Sequence, residues 1–93
     1  LKESGYAYKW IGQILTIKQR VGEAKYYLEK ALSYQPEDVQ VIYNLGFIHL
    51  SNNDIEAAKM SMSFLEKIAP DSPQLVNFRN AVKDHERGTQ LEP

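Results

Sequence analysis

Ninety-three residues with a formal net charge of −1, 43% hydrophobic and 25% charged, suit one small globular domain. A chain of this length buries about 60–65% of its unfolded surface, enough for one modest core but not for a core plus a deep catalytic cleft. Nothing approaches the ~20 apolar residues of a membrane span, no basic stretch leads into an apolar run as in a secretory signal, and the absence of Cys excludes disulfides, thiolate zinc sites and a Cys nucleophile.

The elements follow in chain order. Tyr8, Ile11, Leu15 and Lys18 step by three and four, so a first helix is expected, with Tyr8, Ile11, Gly12 and Leu15 towards the core. Lys18-Gln19-Arg20 makes a polar turn. Val21, Ala24, Leu28, Ala31 and Leu32 then give a second helix, which Pro36 stops because proline lacks a donor and clashes with the preceding turn. Ile42, Leu45 and His49 open a third helix, with Asp38 as its N-cap. Asn52-Asn53-Asp54 is the next turn, where Asn53 is expected to cap the fourth helix with Glu56 three residues on. Ile55, Ala58, Met62 and Leu65 line that helix, with Met60 and Met62 read as packing residues, and Pro70 ends it. Ser72 and Pro73 suit the cap and first position of a fifth helix over 73–87. Leu75, Phe78 and Val82 form its apolar face, Gly88 its stop, and residues 88–93 a disordered tail.

Sliding the chain by 34 residues onto itself pairs Gly12 with Gly46, Ile14 with Ile48, Ala24 with Ala58, Lys25 with Lys59 and Pro36 with Pro70, with no insertion. Each unit holds two helices, the first at 5–38 and the second at 39–72. Within them Tyr8-x2-Ile11-Gly12-x2-Leu15 and Ala24-x3-Leu28-x2-Ala31-x4-Pro36 are answered by Ile42-x2-Leu45-Gly46-x2-His49 and Ala58-x3-Met62-x2-Leu65-x4-Pro70. This pattern resembles the tetratricopeptide repeat, W-x2-L-G-x2-Y then A-x3-F-x2-A-x4-P. The likeness covers residues 5–72. It departs where aromatic positions turn aliphatic and where His49 replaces a Tyr.

The resemblance implies an all-α helical-repeat solenoid, here two units plus a C-terminal capping helix, in one domain over 1–93. It also implies a non-enzymatic scaffold that binds a peptide or helix of a partner protein on the concave wall built by the first helix of each unit. Gly12, Ala24, Ala31, Pro36, Gly46, Ala58 and Pro70 are its structural positions. One step round from the core lie Tyr6, Lys9, Trp10, Gln13 and Thr16, then Gln40, Tyr43, Asn44, Phe47 and Ser51. Tyr6, Lys9, Trp10, Gln13, Tyr43, Asn44 and Phe47 are the groove candidates. Tyr43, Asn44 and Phe47 would supply stacking and hydrogen bonds, and Lys9 and Gln13 would steer the polar part of the partner. The aromatics can equally pack against an upstream repeat. Some family members clamp a C-terminal carboxylate with Lys and Asn. Lys9 and Asn44 match, but Gln74 and Phe78 stand where that clamp needs basic residues.

Residues 1–36 carry a charge of +3 and residues 37–93 a charge of −4, a mild polarity that fits a partner acidic near Lys9. His49 and His85 lack metal spacing. His49 reads as a structural histidine, and consecutive Asp84-His85-Glu86 as solvated surface whose side chains point round different faces. No catalytic, cofactor or metal site is expected, and no helix is basic enough for nucleic acid. The rival reading is self-association through an end face, with Tyr6 and Trp10, or through the capping helix. The first residue is not Met and two repeats fall short of the usual three. A longer parent protein with upstream repeats is therefore expected, soluble and with the cytoplasm slightly favoured.

Overall fold

The computed structural model describes residues 2–91, and the side chains of residues 4–88. Five helices follow one another: α1 (Lys2–Ile17), α2 (Val21–Tyr34), α3 (Val39–Ser51), α4 (Ile55–Ile68) and α5 (Pro73–Leu91), with no strand among the described residues. They extend 48 × 29 × 19 Å, the elongated form expected when units stack in one direction.

The 34-residue repeat is visible in the backbone. Gln19 (φ 63°) and Asn53 (φ 59°) both take the left-handed conformation, one repeat apart. Arg20 N–H donates to the Leu15 carbonyl at 2.9 Å and Gln19 N–H to Thr16 at 3.0 Å. Asp54 N–H donates to His49 at 2.8 Å and Asn53 N–H to Leu50 at 2.9 Å. These paired bonds are the Schellman ending of a helix, built twice without glycine. Because Asn53 is used in that turn, the cap of α4 is not Asn53 as expected but Asp54, whose side chain accepts from Ala57 N–H at 3.2 Å. Asp38 caps α3 through Val41 N–H, and Ser72 Oγ accepts from Leu75 N–H at 3.2 Å to start α5 on Pro73, both as expected.

The core forms two clusters that meet at α3. Leu15, Ala24, Leu28 and Ala31 enclose Val41, Leu45 and Ile48 of α3. Ile42 and Leu50, on the other side of α3, pack with Ala58, Leu65, Leu75, Phe78 and Val82. Full burial of each large side chain contributes about 1.5–3 kcal/mol. Gly12 sits under Leu28, its own hairpin partner, and a Cβ there would lie 2.7 Å from the Leu28 side chain. At Gly46 the neighbour is different: the ring of Phe78 from α5 comes within 2.6 Å of the Cβ site. The same small position therefore seats the hairpin in one unit and the capping helix in the next.

Several expectations are corrected. Ile11 is 40% exposed, because the face of α1 that carries it is uncovered. Met60 points outward at 73% exposure, and only Met62 packs. Gly88 does not stop α5, which runs on to Leu91; its backbone has no positive φ, so it takes no terminating conformation. Residues 89–91 of the expected tail are thus helical, and 92–93 lie outside the described residues. No helix among the described residues is long and apolar enough to cross a membrane.

Candidate partner-binding groove

α1 and α3 are the first helices of their units, and the turn from α1 into α2 opens a cleft of about 490 Å³ between them. Thr16, Val21, Tyr43, Asn44, Phe47, Ile48 and Ser51 line it. Of the groove candidates, Tyr43, Asn44 and Phe47 stand on its wall. Tyr6, Lys9, Trp10 and Gln13 are not part of that lining. Thr16 and Ser51 were visible as positions one step round from the core. Val21 belongs to the apolar row of α2 and Ile48 enters the sequence pattern only as the repeat mate of Ile14; Ile48 is buried yet also floors the cleft, and no sequence signal distinguishes those two roles.

The aromatic wall is held from behind. Tyr43 and Phe47 meet edge-on at 5.0 Å between centroids, and Phe47 meets the buried Phe78 ring at 5.3 Å and 67°. Such edge-to-face pairs add about 0.5–1.5 kcal/mol beyond burial. The polar lining is oriented too. Gln40 Nε2 donates to Asn44 Oδ1 at 3.0 Å, which aims the Asn44 amide hydrogens away from Gln40. Thr16 donates to the Gly12 carbonyl at 2.8 Å and Ser51 to the Ile48 carbonyl at 2.9 Å, so both hydroxyl oxygens keep accepting capacity towards the cleft.

Lys9 has another employment. Its Nζ lies 3.0 Å from Asp38 Oδ2, a bridge from α1 to the cap of α3. That ion pair ties α1 to the start of α3. Gln74 and the buried Phe78, where a carboxylate clamp needs basic residues, carry no charge. Asp38 serves two partners at once, and the two contributions separate by substitution. Asp38→Asn keeps a capping oxygen and loses the charge, so stability falls by less than about 1 kcal/mol. Asp38→Ala loses both, for about 1–2 kcal/mol. Urea denaturation of the two variants gives the comparison.

Elsewhere the charges tie α5 down. Lys59 lies 2.8 Å from Glu86 and Arg79 lies 3.0 Å from Glu66. The hydrogen bond to Glu86, and then its charge, hold the Lys59 ammonium above its ordinary 10.5. The Asp84-His85-Glu86 run splits as expected: Asp84 faces Arg87, Glu86 faces Lys59, and His85 Nε2 lies 2.9 Å from Asn53 Oδ1. His49 is half-buried in the last turn of α3. Among the described residues no group of three or more His, Asp or Glu is placed to hold a metal.

A family model described as tetratricopeptide repeat matches residues 15–81, most of the chain. The chain belongs to the tetratricopeptide repeat family. No curated protein and no solved structure matches it. Repeats of this family are generally protein–protein interaction modules and typically non-enzymatic scaffolds.

Proposed function

We propose that this tetratricopeptide repeat domain binds an extended segment of a partner protein in the cleft between its two units, with an apolar side chain of that segment as the anchor. The cleft itself carries this reading: its lining is mostly apolar, holds no charged residue, and sets an Asn amide and two hydroxyl oxygens around the apolar floor. The Asn44 amide can donate to a peptide carbonyl. The oxygens of Thr16 and Ser51 can accept from a peptide N–H. Val21, Phe47 and Ile48 would enclose a Leu-, Met- or Phe-sized side chain, and a charged anchor would lose its hydration there without a partner. Aromatic residues in such pockets commonly dominate binding.

A random peptide library displayed on phage, selected on the folded domain, tests this directly. Selected peptides are expected to share one large apolar residue at a fixed position. Phe47→Ala should then weaken them about 5- to 30-fold in fluorescence anisotropy, the loss of a 1–2 kcal/mol contact. Asn44→Ala should weaken them less. Peptides that share an acidic terminus instead, or that bind a correctly folded Phe47→Ala domain unchanged, would rule the cleft out.

A further inference from the structure

The two junctions along the solenoid share one sequence register and are filled differently. The cleft lies at the first, where α3 follows the α1–α2 hairpin, and its lining has counterparts one repeat on, where α5 follows the α3–α4 hairpin. Val21 and Ile48 correspond to Ile55 and Val82, apolar at both junctions. The three polar members change: Thr16 corresponds to Leu50, Asn44 to Phe78 and Ser51 to His85. Leu50, Phe78 and Val82 are buried in one cluster, and Ile55 packs against it. His85 Nε2 lies 2.9 Å from Asn53 Oδ1, which ties α5 to the turn before α4. Small polar side chains therefore stand at the first junction where larger ones complete the second.

Phe78 shows how such a position is filled. Its ring has no exposed surface and comes within 2.6 Å of the Cβ site of Gly46. It meets the Phe47 ring at 5.3 Å and 67°, and the Tyr43 ring at 6.5 Å and 69°. Those same two rings of α3 line the cleft, and Phe47 keeps 37% of its surface exposed. An aromatic ring placed in the cleft would extend this series of edge-on contacts beyond Phe47. A Leu or Met side chain would fill space there without the attraction between ring edge and ring face.

We propose that the cleft selects an aromatic anchor, a phenylalanine of the partner segment, which completes the first junction as Phe78 completes the second. The proposal rests on the reading of the cleft as a peptide-binding site and adds the class of side chain it takes.

Four phage-displayed libraries of uncharged peptides, each with Phe, Leu, Met or Ala fixed at the centre, test it on the folded domain. The Phe library is expected to give the tightest binders. Exchange of the fixed Phe for Leu in the best of them should weaken binding about 2- to 10-fold in fluorescence anisotropy. Leu- or Met-centred peptides that bind as tightly, and still weaken on Phe47→Ala, overturn the aromatic anchor while leaving the cleft as the binding site. Enrichment from no library, or binding indifferent to Phe47→Ala, removes both. A second measurement fills the cleft from within. The triple substitution Thr16→Leu, Asn44→Phe and Ser51→His copies the second junction onto the first. It should raise the melting temperature by about 4 °C or more and abolish binding of the Phe peptide. A folded triple variant that melts no higher than the wild type, or that still binds the peptide, overturns the proposal. Should the variant fold poorly by circular dichroism, the ranking of Phe against Leu on the wild-type domain decides alone.

Discussion

Phe78→Ala is expected to lower unfolding stability by about 3–5 kcal/mol. Its ring has no exposed surface and fills the space above Gly46, where no side chain of α3 exists to close the gap. Removing it leaves a cavity bounded by α3 and α5, and the backbone of α3 is pinned on its other side by Val41, Leu45 and Ile48. The site therefore cannot collapse to recover the contacts. Against a total of about 5–15 kcal/mol, that is a large share. Urea denaturation followed by circular dichroism measures it, with the exposed Val76→Ala on the same helix as a control that should move by no more than about 0.5 kcal/mol. The Phe47 ring would lose its edge-on support in the same variant, so peptide binding should weaken even where the fold survives. A loss below about 1 kcal/mol would mean that α5 is not seated as described.

Gly12→Val is expected to cost about 2–3 kcal/mol through overpacking. A Cβ at residue 12 would stand 2.7 Å from two Leu28 side-chain carbons and 3.2 Å from the Leu28 backbone nitrogen. The side chain can shift; the backbone of α2 can do so only by moving the helix. Helix propensity acts in the opposite direction, since Val is a few tenths of a kcal/mol better than Gly within a helix, so a measured loss reports packing. The pair should also be non-additive. Leu28→Ala alone costs about 2–5 kcal/mol, and in the Gly12→Val background it should cost less, because the truncation relieves part of the clash. Strict additivity would show that Gly12 and Leu28 do not meet.

The elements that came through in the sequence are those where a residue type is nearly obligatory. Glycine under Leu28, alanines where helices cross and prolines at hairpin ends recur at 34 residues because close approach and helix termination leave few substitutes. Asp38 and Ser72 were legible as caps for the same reason. What stayed hidden turned on choices between equivalents. Asn53 and Asp54 are both good caps, and only the left-handed turn at residue 53 decides that Asp54 takes the role. Gly88 could end a helix but adopts no positive φ. Ile11 belongs to a repeating apolar row, and a row gives no sign of whether anything covers it. In the cleft, Tyr43, Asn44 and Phe47 stood out by being off the core pattern. Val21, half-buried, and Ile48, buried, could not, because the apolar pattern that packs them also brings them to the edge of the cleft.

α3 contributes to both clusters: Val41, Leu45 and Ile48 face one, Ile42 and Leu50 the other. Packed on α2 on one side and on α4 and α5 on the other, its central backbone amides should exchange hydrogen for deuterium last, near the rate of global unfolding. Tyr43, Asn44 and Phe47 ride on this slowest-exchanging helix. A partner would therefore meet a wall already ordered before it arrives, and little entropy would be lost in fixing it.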